Sequence, residues 1–204
     1  SPRRRRSGSR PQATRPTTHT ARPVGPHVAT ADHDPTPVEF ESFGLDPRLA
    51  RALADRDFRI TTPVQSAVYP SVFRGEDLIA CAQTGTGKTI AFLLPLMQRM
   101  LAQPASDARS TRVLILAPTR ELAVQIEEEF QGLAYHTPLS GAAVYGGVGM
   151  GPQDRALKGR VDVIVATPGR LIDHMRSGVK FDKLDVLILD EADRMLDMGF
   201  WPDV

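Results

Sequence analysis

The sequence has one cysteine, Cys81, among 204 residues, so a disulfide framework and a cysteine-based metal cluster are both excluded. Long apolar runs are also missing, since none approaches the ~20 residues that a helix needs to cross a bilayer. Arg3 to Arg6 are not followed by the apolar core that a signal peptide would have. These absences predict a cytoplasmic protein with no membrane partner.

Acidic residues are absent from residues 1–31, which contain seven arginines, so the net charge of +1 leaves −6 on the rest of the chain. Residues 1–37 hold seven prolines and few large apolar residues to offset the entropy of ordering, and we predict a disordered tail there. Its charge favours an anionic partner such as RNA, whereas a solubilising tail or an organelle transit peptide are the alternatives. Arginine outnumbers lysine 21 to 4, a bias that favours a GC-rich bacterial genome.

A glycine-rich segment, Ala82 to Thr89, follows a short apolar run at 77–81 and precedes a helix-like run at 90–101. Strand, glycine-rich loop and helix in this order make a phosphate-binding loop, because glycine frees backbone N–H groups to face one anion. We expect Cys81 to pack within the preceding strand. The alternative is an ordinary turn between strand and helix. The expected ligand is a nucleoside triphosphate.

Two residues at the end of this loop have side chains suited to a triphosphate. The Lys88 ammonium can reach the outer phosphates, and the Thr89 hydroxyl can face Mg²⁺. The residues expected to contact the nucleotide are Gln83, Thr84, Gly85, Thr86, Gly87, Lys88 and Thr89.

A second motif begins with the apolar run 186–189 and ends in three carboxylates, Asp190, Glu191 and Asp193. In enzymes with a phosphate-binding loop, an acidic residue at a strand end holds Mg²⁺ through water, and its neighbour orients the attacking water. Asp190 fits the metal role and Glu191 the water role. The expected catalytic residues are therefore Lys88, Asp190 and Glu191. A solvated helix start is the alternative for the acidic string.

Ala-Gln-Thr-Gly-Thr-Gly-Lys-Thr together with Asp-Glu-Ala-Asp resembles the DEAD-box ATP-dependent RNA helicases. Four further stretches agree with that family in order and spacing, namely Thr62-Pro63-Val64-Gln65, Ala117-Pro118-Thr119-Arg120-Glu121-Leu122, Gly146-Gly147 and Thr167-Pro168-Gly169-Arg170. The resemblance covers residues 40–204 and implies two RecA-like domains. We expect residues 38–204 to be the first, without its Ser-Ala-Thr motif and last strand. The chain alone would then bind ATP without RNA-stimulated hydrolysis.

The resemblance also implies roles for single residues. Phe40 would stack on adenine and Gln65 would read its edge, because a side-chain amide donates and accepts at once. Core packing is the alternative for Phe40. Asp193 would couple the ATP site to the Ser-Ala-Thr motif, and Asp57 stands where the family usually has glycine. The residues expected to contact the RNA backbone are Pro118, Thr119, Arg120, Gly146, Gly147, Thr167, Pro168, Gly169 and Arg170.

Apolar runs at 112–117, 142–145, 162–166 and 186–189 alternate with segments of helical spacing. This pattern predicts an α/β fold with a parallel sheet covered by helices on both faces, the RecA-like arrangement. One predicted helix, 119–133, places Leu122, Ile126, Phe130 and Leu133 on its apolar face and Glu127, Glu128 and Glu129 in solvent.

The predicted function is that of an ATP-dependent RNA helicase, which uses ATP and Mg²⁺ to remodel or locally unwind RNA duplexes. Contacts to the RNA backbone would be independent of sequence. Two alternatives stay open at this point. The chain could be a non-catalytic fragment that binds RNA or ATP, or part of a DNA-directed translocase with the same phosphate-binding loop.

Overall fold

The computed structural model describes residues 36–103 and 110–204, so nearly all of the predicted tail, residues 1–37, lies outside the described residues. No helix in the described part of the chain is long and apolar enough to cross a membrane. A short 3-10 helix, Phe40–Phe43, comes first. The elements that follow are α1 (Pro47–Ala54), α2 (Pro63–Arg74), α3 (Lys88–Ala102), β1 (Val113–Leu116), α4 (Arg120–Ala134), β2 (Gly141–Val144), α5 (Met150–Lys158), β3 (Val163–Ala166), α6 (Pro168–Arg176), β4 (Val186–Leu189) and α7 (Ala192–Asp197).

The four strands form one parallel sheet in the order β2-β3-β1-β4. Leu116, the last residue of β1, lies opposite Ala166 of β3 and Leu189 of β4. Ala166 in turn lies opposite Val144 of β2. All four strands therefore end at the same edge of the sheet, and the segments that follow them gather there. The predicted parallel sheet is confirmed.

Successive residues of a strand point to opposite faces of the sheet, and β1 shows this directly. Val113 and Ile115 join a core cluster that contains residues of α1, α3 and α4. Leu114 and Leu116 join a second cluster on the other face, together with Leu157 of α5, Leu171 of α6 and Met195 of α7. Helices thus cover both faces, as the sequence predicts for an α/β fold.

Helix α1 begins at Pro47, with Asp46 as its N-cap. The Asp46 carboxylate accepts a hydrogen bond from the Arg48 backbone N–H at 2.9 Å and from the Arg48 guanidinium at 2.8 Å. The guanidinium lowers the pKa of Asp46 to about 2. Pro47 fits the first helical position because the N–H that it lacks would have no partner within the helix.

The predicted strand at 77–81 does not form within the described residues, where Leu78 makes only an isolated bridge. Ile79 is 57% exposed, and Cys81 is exposed instead of packed. A strand needs a neighbour for its backbone N–H and C=O groups, and this segment is not one of the four strands of the described sheet. The prediction was wrong because apolar composition alone does not supply that neighbour.

One local prediction differs from the structure, and one unusual residue takes a special backbone conformation. Glu129 does not lie free in solvent, because its carboxylate forms a half-buried ion pair with Arg56 at 2.7 Å. Asp57 takes the left-handed backbone conformation, with φ at +57°. Aspartate tolerates this region better than most residues, so the turn that the family makes with glycine forms here without it.

The packing of α4 against β2 predicts that Gly141 cannot be enlarged. A Cβ at Gly141 would lie 2.5 Å from the Phe130 ring, which is fully buried. We expect Gly141→Ala to lower the free energy of unfolding by about 1–3 kcal/mol, the usual cost of overpacking. Urea unfolding followed by circular dichroism measures this change.

Gly151→Ala is the matched control for this prediction. Gly151 lies in α5, and a Cβ there would meet nothing within 4 Å. Alanine is the better helix former, so the control should leave stability unchanged or raise it by up to about 1 kcal/mol. Equal effects of the two substitutions would contradict the proposed clash.

Candidate functional site

The glycine-rich loop turns directly into α3. Gly85 and Gly87 have φ of +81° and +89°, a region that glycine adopts without steric cost. Lys88 is the first residue of α3, and no side chain among the described residues caps this helix. Its first N–H groups are therefore available to an anion, and the helix dipole favours negative charge there. The loop is held by a bond from Thr86 Oγ1 to the Gln83 carbonyl at 2.7 Å.

Gln65 ties this loop to the start of α2. Its Oε1 accepts a hydrogen bond from the Thr62 backbone N–H at 2.9 Å, and its Nε2 donates to the Gly87 carbonyl at 3.2 Å. The side chain is buried, and a Cβ at Gly87 would come within 2.5 Å of Nε2. The resemblance implies that the Gln65 amide reads the edge of adenine. The structure shows in addition that this amide donates a hydrogen bond to the glycine-rich loop.

Phe40 is only 4% exposed and packs against Tyr69, with ring centroids 6.2 Å apart. This is the arrangement that the core-packing alternative predicts. Phe40 would contact a base only if its ring were uncovered, so its adenine contact stays a prediction.

Asp190 follows β4 at the carboxyl edge of the sheet. Its backbone N–H donates to the Leu116 carbonyl at 3.0 Å, and its Oδ1 accepts from the Glu191 N–H at 3.0 Å. Burial raises the pKa of the Asp190 carboxyl, and the nearby Lys88 ammonium partly opposes this rise. The structure thus brings together two catalytic candidates that lie far apart in the sequence.

The other two carboxylates of the acidic motif have different surroundings. Glu191 takes the left-handed conformation, with φ at +51°, and its Oε2 lies 3.3 Å from Arg194 Nη1. A glutamate in this region is strained, and such strain is common at functional sites. Asp193 is exposed and accepts a hydrogen bond from the Arg194 backbone N–H at 2.9 Å.

A second group of site candidates meets at the turn after β2, residues 145–148. Arg120, the first residue of α4, places its guanidinium over the Tyr145 ring, 4.9 Å from the centroid. Within the described ranges Arg120 forms no salt bridge, so no carboxylate there occupies its guanidinium. Thr119 caps α4 by accepting from the Leu122 N–H at 3.3 Å.

The segment after β3 reaches the same turn. Arg170 donates from Nη1 to the Val148 carbonyl at 2.9 Å. Thr167 stands at the N-cap of α6, but its side chain makes no capping bond there.

Gly147 has φ of +83° and Gly146 is exposed. Pro118 and Pro168 are buried at the starts of their helices, and Gly169 is exposed.

Sequence reasoning missed three residues that support this turn. Gln153 Nε2 donates to the Tyr145 carbonyl at 2.9 Å, and Gln153 Oε1 lies 3.2 Å from His174 Nε2. His174 is fully buried, and its Nδ1 lies 2.8 Å from Asp154 Oδ1. Polar residues on the inner face of α5 and α6 were the available signal, but only the fold shows that they meet.

A model of the family described as DEAD/DEAH box helicase matches residues 62–204. ATP-dependent RNA helicase drs1 of Aspergillus clavatus is 44% identical over 177 residues, which cover 86% of this chain and 21% of that protein. ATP-dependent RNA helicase RhlB of Photorhabdus laumondii is 43% identical over 173 residues, with coverages of 83% and 40%. DEAD-box ATP-dependent RNA helicase 20 of Oryza sativa is 44% identical over 173 residues, with coverages of 83% and 35%. The chain spans from about a fifth to two fifths of the length of these relatives.

The buried carboxyl of Asp190 predicts a pH-dependent effect on stability. Its folded-state pKa lies above the ordinary value of 3.8, so its contribution is favourable below pH 3.8 and is lost as the pH rises through the folded pKa. Above pH 3.8 the unfolded chain releases this proton more readily than the folded chain, which lowers stability. We therefore expect Asp190→Asn to raise the melting temperature at neutral pH, and the difference to shrink toward zero as the pH approaches about 4.

Thermal unfolding in magnesium-free buffer at several pH values measures this effect. Asp193→Asn is the control, because the exposed Asp193 carboxylate should give a nearly unchanged melting temperature. A lower melting temperature of Asp190→Asn at neutral pH would show that attraction to Lys88 outweighs burial, which would overturn the argument.

Proposed function

Because the chain belongs to the DEAD/DEAH box helicase family, we propose that residues 38–204 form the first, ATP-binding RecA-like domain of an ATP-dependent RNA helicase. The observation that carries this proposal is the placement of Lys88 beside the buried Asp190, next to an uncapped helix start. The relatives carry the name ATP-dependent RNA helicase, which favours RNA over DNA as the substrate. A cytoplasmic location remains part of the proposal.

The nucleotide would lie across the start of α3. Backbone N–H groups at Gly85 to Thr89 would bind its phosphates, and Lys88 would neutralise charge on the outer ones. Gln65 would read the edge of the adenine with the amide N–H and lone pair that its two protein bonds leave free. Phe40 would border the base after its ring is uncovered.

The residues fit Mg²⁺ as the accompanying ion. No group of three or more His, Cys, Asp or Glu in the described residues could hold a metal alone. Mg²⁺ usually takes one or two carboxylates and completes its shell with water and substrate phosphates, which matches the single buried carboxyl of Asp190 in the described residues. The Thr89 hydroxyl, which follows Lys88 in the chain, would be its second protein ligand. Bound there, Mg²⁺ would neutralise charge that develops on the transferred phosphoryl group.

Glu191 is proposed to orient the water that attacks the outer phosphate. Glu191 is adjacent to Asp190 in the chain, and its backbone takes the left-handed conformation, with φ at +51°. Asp193 is exposed and makes no bond to the nucleotide loop within the described residues, so its proposed part is to couple the site to a neighbouring segment.

RNA would lie across the 145–148 turn and the starts of α4 and α6. Arg120 and Arg170 would contact phosphates, and Gly146 and Gly147 would let the RNA backbone approach closely. The remaining proposed contacts, through helix-start backbone groups, are Pro118, Thr119, Thr167, Pro168 and Gly169. Such contacts hold a backbone of any sequence.

The nucleotide site is tested with a fluorescent ATP analogue. Loss of a charge-assisted contact weakens binding by about 10-fold or more, so we expect Lys88→Ala to raise the dissociation constant by that factor. Lys158→Ala is the control, because Lys158 is exposed on α5. Equal affinity of the two variants would contradict the proposed role of Lys88.

The RNA site is tested by the salt dependence of binding to a labelled single-stranded RNA. Each lost phosphate contact lowers the slope of log affinity against log salt by about 0.7 for a single strand. We expect Arg120→Ala and Arg170→Ala each to lower the slope by about this amount and to weaken all RNA sequences alike. Arg176→Ala, at the opposite end of α6, should leave the slope unchanged. If all three variants have the same slope as the unaltered chain, the proposed RNA contacts of Arg120 and Arg170 are contradicted.

A further inference from the structure

Four of the proposed RNA-contacting residues, Arg120, Gly146, Gly147 and Arg170, lie in the 145–148 turn or contact it. The Arg120 guanidinium lies over the Tyr145 ring, and Arg170 donates a hydrogen bond to the Val148 carbonyl. Gly146 and Gly147 lie between these two attachment points. Any displacement of this turn would therefore move groups from three separate segments relative to one another.

The backbone of this turn needs support from outside. Pairing of β2 with β3 ends at Val144, and Gly147 stands in the left-handed region with φ of +83°. Two side-chain hydrogen bonds anchor the turn, one from Arg170 to its last carbonyl and one from Gln153 to its first. Arg170 is itself a proposed RNA contact, so Gln153 is the anchor that RNA would not occupy.

The orientation of the Gln153 amide is fixed by its two neighbours. The Tyr145 carbonyl can only accept, so the Gln153 nitrogen must face it. The Gln153 oxygen then faces His174 Nε2, which must carry a proton to donate. The opposite ring nitrogen of His174 faces the Asp154 carboxylate at 2.8 Å, which fixes the plane of the imidazole.

We propose that Gln153 is a positioning residue for RNA binding, which holds the Tyr145–Val148 turn in place and is itself held by His174 and Asp154. This inference rests on the proposed function, because it assigns the role to the same RNA site. The chain of bonds runs from α6 through α5 to the turn. It links the segment that carries Arg170 to the one that carries Gly146 and Gly147 without contact to RNA.

The first test is the affinity of the 204-residue chain for a fluorescein-labelled oligouridine of about ten nucleotides, measured by anisotropy at low salt. Gln153→Met keeps the length of the side chain and removes both of its hydrogen bonds. We expect about a tenfold weaker affinity, the change that corresponds to one well-placed polar contact. Affinity for the fluorescent ATP analogue should stay the same, because the loop at Lys88 lies in a different segment.

Two control variants separate positioning from general stability. Gln131→Met removes a similar amide bond, from Gln131 Nε2 to the Gly141 carbonyl at the opposite end of β2. Leu157→Ala creates a cavity under α5 without touching the turn. Both should bind oligouridine within about twofold of the unaltered chain when measured well below their melting temperatures. Leu157→Ala should nevertheless have the lower melting temperature.

A pair of His174 variants tests the inner link even if Gln153→Met does not fold. A glutamine amide can replace the Nε2 donor toward Gln153, whereas the shorter asparagine amide can replace only Nδ1. We expect His174→Gln to keep near-normal RNA affinity and His174→Asn to lose about as much as Gln153→Met. Equal RNA affinity of these two His174 variants would overturn the link through Gln153.

The outcomes also separate this inference from the proposed function. If the unaltered chain binds oligouridine and Gln153→Met binds it equally well, the positioning role is overturned while the RNA site stands. If RNA affinity falls with melting temperature across all variants, Leu157→Ala included, Gln153 has no special role. If the unaltered chain binds no RNA, the proposed function fails, and this inference fails with it.

Discussion

The parallel register of the four strands β1 to β4 is the constraint on which the rest of the structure depends. Because the strands run in the same direction and end level with one another, every segment that follows a strand emerges at one edge. Four chemically different segments are therefore adjacent in space although they are spread along the chain. A slip of one residue would exchange the side chains that enter the two core clusters and would shift Asp190 relative to the nucleotide loop.

The site has two parts, in which different interactions are important. Near α3 the important terms are electrostatic, since a buried carboxylate, an ammonium group and free helix-start N–H groups are close together. At the 145–148 turn the important term is geometric, because side chains from α4, α5 and α6 fix a short backbone segment. The guanidinium groups of Arg120 and Arg170 border this second part.

The sequence predicted most of the framework, because periodicity reports which residues face a core. The strands at β1 and β3 and the helix α4 follow from this signal alone. It failed at 77–81, where a strand depends on a neighbour that composition does not reveal. It also failed for Glu129, whose partner Arg56 is 73 residues away, and for the bonds among Tyr145, Gln153 and His174. Those contacts exist only after the helices pack, so no local pattern indicates them.

At the neighbouring residues Asp190 and Glu191, the features that suit the proposed catalytic roles lower the stability of the fold. At Asp190 a carboxyl group is held out of water, and at Glu191 the backbone is strained, which costs on the order of 1–3 kcal/mol. Glycine at position 191 would relieve the strain and remove the carboxylate. The folded chain without ligand thus carries a free-energy cost at both residues. A nucleotide that binds the folded chain alone would act as a folding ligand, adding stability as the logarithm of its concentration.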